Sequence, residues 1–187
     1  MVNHKHKCIF VHIPRTSGTS IEKSFGFDNE QEKHLSAKQI YSLIGQYVWN
    51  TCFKFSFVRN PWDRIISLYF SLAFKNDNPI GHGAGKSLKF FLNHYKPFPL
   101  EQGTTFYDYL NHDPWMAKMD FVGRFENRVK DLKYISDRIN FNIPNDIWER
   151  KTNHKHYTEY YDDETREIVA KKYAKDIEYF GYEFGDY

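Results

Sequence analysis

Residues 8–25 have the sequence CIFVHIPRTSGTSIEKSF, which divides into three parts. The first six residues form an apolar run of the length that a buried parallel strand needs, and Pro14 ends it because proline cannot donate to a strand ladder. A polar turn follows and closes at Gly18. From Thr19 the pattern is helical, because apolar side chains recur four residues apart. We therefore expect a strand, a tight loop and a helix in immediate succession.

A strand that leads through such a loop into a helix N-terminus is an anion-binding arrangement. Free backbone N–H groups and the positive end of the helix dipole point at the same place, which favours phosphate or sulfate. Thr16, Ser17, Thr19 and Ser20 supply hydroxyl groups that suit a helix start. The loop differs from a Walker A sequence, which has a second glycine and a lysine, whereas the basic residue here is Arg15. An ordinary capped turn without a ligand is the alternative interpretation.

Length and composition exclude several classes of protein. A chain of 187 residues predicts a single domain with a sizeable core, and 19% aromatic residues argue against disorder. A net charge of +2 is too small to indicate nucleic-acid binding, so any anion site must be local. Cys8 and Cys52 are expected to be small buried residues, and no His/Cys cluster has zinc spacing. No segment reaches about 18 apolar residues, so we expect a soluble, cytoplasmic protein that does not contact membranes.

A second strand is expected at residues 52–58, CFKFSFV. The helix after it has Asn60 as a good N-cap and Pro61 at the first helical position. That helix is apolar nearly all round, which indicates burial. Two polar side chains stand out, namely Arg59 at the end of the strand and Ser67 inside the helix. Taken alone, they are compatible with a structural ion pair and a hydroxyl that bonds back to a helix carbonyl.

Together, these two junctions resemble the sulfotransferases that use 3′-phosphoadenosine 5′-phosphosulfate (PAPS). PRTSGTS, residues 14–20, resembles their 5′-phosphosulfate loop, and the pair Arg59 and Ser67 resembles the segment that grips the ribose 3′-phosphate. An arginine fork fits a phosphate group geometrically. Residues 119–135 are similar to the FVGxxE segment of carbohydrate sulfotransferases related to the uronyl 2-sulfotransferases and their bacterial relatives. Residues 151–184 are similar to the C-terminal basic loop and helix of the same proteins.

The resemblance implies a fold and a cofactor. The fold is a three-layer α/β fold of the P-loop type, in which a central parallel sheet is flanked by helices and holds its ligand at the strand carboxyl ends. The sulfuryl donor is PAPS, the product is 3′-phosphoadenosine 5′-phosphate (PAP), and no metal is required. The implied cofactor contacts are Pro14, Arg15, Thr16, Ser17, Gly18, Thr19, Ser20, Arg59, Ser67, Thr152 and Lys155.

The implied reaction is an in-line displacement in which an acceptor hydroxyl, expected on a carbohydrate, attacks sulfur. His34 is the expected general base, because EKHLSA resembles the histidine-bearing loop of the family and imidazole suits proton removal near neutral pH. Glu32 is the second candidate. Arg15 would neutralise the leaving group, although the family more often has lysine there and arginine is a poor proton donor. We expect Glu126 to orient its neighbours and His12 to pack beside the loop.

One segment falls outside the resemblance. Residues 75–102 are expected to form an irregular insertion that recognises the acceptor, with a short helix around Leu88–His94. Two alternative functions stay open. A P-loop phosphotransferase, such as a small-molecule kinase, is disfavoured by the missing Walker lysine. A nucleotide-binding protein of the same fold without turnover is supported only by the arginine at position 15.

Overall fold

The structure is a computed structural model that describes residues 1–27, 33–71, 85–94, 105–110, 118–142 and 154–186. The strands in these ranges are β1 (Val2–Asn3), β2 (Cys8–Val11), β3 (Phe53–Val58) and β4 (Phe121–Arg124). The helices are α1 (Gly18–Phe25), α2 (Ala37–Thr51), α3 (Pro61–Ser71), α4 (Leu88–His94), α5 (Phe106–Leu110), α6 (Arg128–Ile139), α7 (Asp163–Lys172) and α8 (Ala174–Phe180). The predicted α/β class is confirmed.

Contacts divide the chain into two compact units. The first comprises Met1–Val58 and Gln102–Glu149, and the second comprises Arg59–Glu101 and Arg150–Tyr187. Each unit is therefore built from two separate stretches of the chain. A single domain over residues 1–187 stays a prediction.

The first unit contains a four-stranded sheet in the order β1-β2-β3-β4. β1 runs antiparallel to β2, whereas β2, β3 and β4 are parallel, with Phe10 opposite Phe55 and Ser56 opposite Val122. All four residues of β2 are buried, as the near-continuous apolar sequence of a parallel strand predicts. Because β2 and β4 point the same way, the loop after β2 and the turn after β4 leave the sheet at the same edge.

Aromatic rings form most of the core of the first unit. Phe10 stacks on Phe55 with ring centroids 5.1 Å apart, and Phe25 of α1 lies 5.5 Å from Phe55. Ile21 and Phe25, the predicted apolar face of α1, are each 1% exposed. This packing fixes α1 against the sheet, and so fixes the direction in which its N-terminus points.

The apolar spacing of residues 36–48 predicts a helix with Ser36 as N-cap and with Leu43 on its apolar face. The helix α2 confirms the cap and corrects the face. Its predicted N-cap, Ser36, forms a capping box with Gln39. The helix continues to Thr51, past the predicted end, and it kinks at Gly45, where φ is 77°. Leu43, predicted to lie on the buried face, is 66% exposed, and Trp49 is buried instead. The kink lies after Leu43, so it accounts only for the second half of α2, where the apolar period is reset and Trp49 turns inward.

The second unit packs α3, α4, α7 and α8 around an apolar core that includes Trp62, Phe91 and Val169. Asn60 is the predicted cap of α3: its Oδ1 accepts from the Trp62 N–H at 3.1 Å, and its Nδ2 donates to the Glu183 carbonyl at 2.9 Å. The cap therefore also fixes the C-terminal segment of this unit.

Two further predictions fall in the second unit. Of the irregular insertion at residues 75–102, the structure describes residues 85–94, and these contain the expected short helix as α4. For the C-terminal helix, the sequence predicts Asp162 or Asp163 as the cap and Gly181 as the end. The helix begins with Asp162 as N-cap, but it is divided at Tyr173 into α7 and α8. Gly181, in the left-handed region, ends α8 as predicted.

Candidate functional site

The loop between β2 and α1 holds an unusual backbone. Arg15 has φ 71° and Ser17 has φ 67°, although neither is glycine. Left-handed backbone is uncommon in other residues, and where it persists it tends to mark functional sites. Backbone that alternates in handedness points successive N–H groups into one concavity, which binds anions. The predicted tight loop thus has the backbone geometry of an anion-binding concavity and not that of a simple turn.

The first helical N–H groups complete this concavity. Hydrogen bonds of α1 start at Ser20 and Ile21, whose N–H groups donate to the Ser17 carbonyl at 3.1 and 3.2 Å. The N–H groups of Gly18 and Thr19 come before these bonds and have no acceptor within the helix. They lie at the positive end of the helix dipole, which stabilises a negative charge there.

The hydroxyl groups of the loop have different surroundings. Thr16 is fully buried, and its hydroxyl donates to the Ile13 carbonyl at 2.8 Å. The side chain therefore closes the end of the strand segment, and only the Thr16 backbone can contact a ligand. Ser20 is 6% exposed, and its carbonyl accepts from the Ser24 hydroxyl at 2.6 Å. Pro14, Arg15, Ser17 and Thr19 are half-buried.

Arg128 also contacts the loop, although no sequence motif pointed to it. It begins α6, its Nη1 donates to Ser17 Oγ at 2.8 Å, and its guanidinium lies 5.0 Å from the centre of the Phe125 ring. Only 9% of Arg128 is exposed. The signal in the sequence is a basic residue at the helix start after a parallel strand, four positions beyond Arg124. Its contact with residue 17 depends on strand order, which a local pattern does not give.

A buried acid and base lie beneath the loop. His12 is 3% and Glu22 is 4% exposed, and His12 Nδ1 hydrogen-bonds to Glu22 Oε1. Lys33 Nζ lies 3.2 Å from the other carboxylate oxygen. The imidazole occupies the space beside Gly18, since a Cβ built at that glycine would lie 1.8 Å from His12 Nε2. A side chain at position 18 would thus displace the imidazole, and His12 packs beside the loop. Glu22 was not predicted.

The electrostatics of this pair fix its protonation. Burial lowers the pKa of His12, despite the opposing effect of Glu22. Burial pushes the pKa of Glu22 upward, but hydrogen bonds and charges from His12 and Lys33 together hold that pKa below its ordinary value. The carboxylate is therefore charged and the imidazole neutral, with its proton on Nδ1 toward Glu22. His12 Nε2 then carries no proton.

A comparison with known protein families identifies the family of this chain. The profile described as the sulfotransferase family matches residues 1–183 of the chain. The chain belongs to the sulfotransferase family. The comparisons with curated proteins and with solved structures each gave no significant match. Membership supports an enzyme that transfers a sulfuryl group to a hydroxyl-bearing acceptor, in an α/β fold with a mostly parallel sheet.

The expected base of this sulfotransferase, His34, lies next to the buried pair. Its Nδ1 is 3.3 Å from the His12 carbonyl oxygen, and the two imidazole rings are 4.2 Å apart. Its backbone has φ 65°. Burial, followed by the neighbouring His12, lowers the pKa of His34 to about 4. At neutral pH the ring is therefore uncharged, with Nδ1–H donating to the carbonyl and Nε2 left as an acceptor. Glu32 lies outside the described residues.

The remaining predicted contacts lie in the second unit. Arg59 is 7% exposed, and its Nε donates to Asp63 Oδ2 at 2.7 Å, which is the ion pair given above as the alternative interpretation. This bond uses one of the five N–H donors of a guanidinium. Ser67 is buried within α3. Lys155 is exposed and lies 3.3 Å from Glu159, whereas Thr152 lies outside the described residues.

In the part of the chain that the structure describes, no group of three or more His, Cys, Asp or Glu residues is arranged to hold a metal ion. None of the helices placed there combines the length and the apolar character that crossing a membrane requires. Glu126, expected to orient its neighbours, lies in a 3₁₀ turn between β4 and α6.

The contact between Gly18 and His12 generates a prediction. The substitution Gly18→Ala places a methyl group on the imidazole, and we expect it to lower the free energy of unfolding by roughly 1–3 kcal/mol. In the background of His12→Ala, which removes the ring, the same change should cost much less. Urea unfolding of the wild type, both single variants and the double variant measures this coupling. Equal costs in the two backgrounds would contradict the steric role of His12.

The low pKa of His34 generates a second prediction, about stability and pH. Its pKa is about 4 in the folded protein and 6.5 as the ordinary value, so between these values the unfolded chain binds a proton that the folded chain does not. Stability should fall as the pH drops from about 6.5 toward about 4. The variant His34→Asn, which tolerates the left-handed backbone, should lose this part of the pH dependence. Thermal unfolding at several pH values checks it, and parallel curves for both proteins would contradict it.

Proposed function

We propose that this sulfotransferase moves the sulfuryl group of PAPS to a hydroxyl of a saccharide acceptor. One observation carries the proposal: in a chain of this family, the left-handed backbone at Arg15 and Ser17 turns the first N–H groups of α1 into an anion-binding concavity. A 5′-phosphosulfate is an anion of the size and charge that such a concavity stabilises. The product of the reaction is PAP.

The loop supports transfer mainly through charge and position. Backbone N–H groups of residues 16–20 would hold the 5′-phosphosulfate, and the Arg15 guanidinium would neutralise charge that builds on the leaving oxygen. Arginine keeps its proton, so its contribution is electrostatic. Preformed donors are effective here because they need no rearrangement when the charge develops. Two buried groups below the loop, His12 and Glu22, hold the concavity in place.

His34 acts as the general base in this proposal. Its Nδ1–H is directed to the His12 carbonyl, so its Nε2 is available to take the proton of the acceptor hydroxyl. The new bond joins the acceptor oxygen to sulfur, the bond from sulfur to the 5′-phosphate oxygen breaks, and the acceptor proton moves to Nε2. A bound anionic donor raises the pKa of a nearby imidazole, which makes it a stronger base in the complex than in the free protein. Glu32 is the alternative base.

Other assignments rest on the family resemblance. Arg59 and Ser67 are assigned to the ribose 3′-phosphate, and Thr152 and Lys155 to weaker contacts with the nucleotide. The saccharide acceptor is assigned to residues 75–102. A cytoplasmic location stays a prediction of the sequence. A kinase of the P-loop type would bind ATP with Mg²⁺ in preference to PAP, and an inactive relative would bind PAP without transfer to any acceptor.

Isothermal titration and transfer assays test the proposal together. We expect PAP to bind the wild type in the micromolar range and more tightly than ATP with Mg²⁺. With labelled PAPS and a panel of saccharides, we expect His34→Asn to reduce transfer roughly 10²–10⁴-fold, the usual contribution of a general base. PAP affinity should be unchanged in that variant. No binding of PAP to the wild type would contradict the donor, and full transfer by His34→Asn would contradict the base.

The pH profile gives an independent check on the base. The acid limb of kcat/KM reports the free enzyme, so it should lie near the His34 pKa of about 4 and not near 6.5. Activity should fall as the pH drops through this range, because protonated imidazole cannot accept the hydroxyl proton. An acid limb near the ordinary histidine value would assign the base to another residue.

A further inference from the structure

We infer that Arg128 is a further residue of the sulfuryl-donor site and that its guanidinium contacts the 5′-phosphosulfate beside Ser17. The inference rests on the proposed function, and it adds a second cation beside Arg15 at the 5′-phosphosulfate. Three features of the described structure support it: the position of Arg128 in the sheet, its contact with Ser17, and the charge of the expected ligand.

The sheet topology places Arg128 next to the loop. β4 is parallel to β3, which is parallel to β2, so the carboxyl ends of β2 and β4 lie at the same edge of the sheet. After Arg124 the chain makes a 3₁₀ turn over Phe125–Asn127, and α6 begins at Arg128. A side chain 111 positions away in the sequence is thereby brought into hydrogen-bond contact with Ser17.

The contact with Ser17 changes what that residue does. Serine at an N-cap commonly accepts a hydrogen bond from the N–H of the second or third helical residue. In the described chain, however, the Ser17 side chain makes no capping bond to α1, and its Oγ accepts from Arg128 Nη1 at 2.8 Å. With its backbone in the left-handed region, Ser17 thus directs its hydroxyl to Arg128 and not to the helix N–H groups. Those groups are then available to an anion from outside the chain.

The guanidinium is held in one orientation. It lies over the Phe125 ring, with its central carbon 5.0 Å from the ring centre, and Arg128 is only 9% exposed. A phosphosulfate supplies two negative charges, and a flat guanidinium can bind phosphate or sulfate oxygens through two parallel hydrogen bonds. Arg15 and Arg128 together match that charge.

Isothermal titration with two nucleotides tests the inference. PAP has both phosphates, whereas adenosine 3′-monophosphate lacks the 5′-phosphate that Arg128 would contact. We expect Arg128→Met to raise the Kd of PAP about 10–100-fold, as loss of a charge-assisted hydrogen bond does, and to leave the Kd of adenosine 3′-monophosphate within about threefold. The matched control is Arg138→Met, an exposed arginine of the same helix whose described contact is with the Phe53 ring. It should change neither Kd.

A second variant separates direct contact from an effect through Ser17. If Arg128 only positions the Ser17 hydroxyl, Ser17→Ala should weaken PAP binding as much as Arg128→Met does. With direct contact, Ser17→Ala has the smaller effect, and Arg128→Met weakens binding further in the Ser17→Ala background. Equal losses in the two single variants, with no further loss in the double variant, would overturn direct contact.

The remaining outcomes are also decisive. If the wild type binds no PAP, the proposed function fails. A different case is a wild type that binds PAP. If Arg128→Met then binds PAP equally well, or loses affinity for both nucleotides to the same extent, only the present inference is overturned. Should circular dichroism show that Arg128→Met does not fold, Arg128→Lys takes its place. A loss confined to PAP supports the inference, and no loss or an equal loss for both nucleotides overturns it.

Discussion

The rest of the site depends on one steric constraint: the imidazole of His12 occupies the space that a side chain at position 18 would need. With glycine there, the end of β2 and the start of α1 pack directly against each other. Within the six residues that join β2 to α1, Arg15 and Ser17 adopt left-handed backbone. That backbone turns the first helical N–H groups toward one point. The proposed anion site thus depends on packing beneath the loop as much as on the loop sequence.

Buried polar groups maintain this arrangement. Glu22 holds the His12 ring through Nδ1, and Lys33 balances the carboxylate from the other side. The His12 carbonyl in turn orients the ring of His34. A network of this kind is stabilising only when each buried group has its partner, so it keeps donors and acceptors in fixed positions. Fixed positions are what stabilisation of a developing charge requires, because donors that need no reorganisation lower the barrier most.

Features that depend on neighbouring residues were predictable from the sequence, whereas contacts between distant residues were not. The strand, loop and helix at residues 8–25 and the caps at Ser36 and Asn60 were predictable, because each depends on neighbouring residues and on a clear apolar period. Arg128 was not, since its contact with Ser17 follows from the order of three strands. Glu22 was not either, because one acidic residue in an amphipathic helix is usually on the solvent side. Tertiary contacts determine the positions of both the Arg128 and the Glu22 side chains.

The central claim is that the free N–H groups at the start of α1 bind the 5′-phosphate end of the donor. Amide NMR of the ¹⁵N-labelled protein during titration with PAP tests it most directly. The account predicts that the Gly18 and Thr19 amide resonances shift strongly with PAP and little with adenosine 3′-monophosphate. Only PAP has a 5′-phosphate to which these amides can donate hydrogen bonds. Saturable binding of PAP that leaves these two resonances in place would contradict the account.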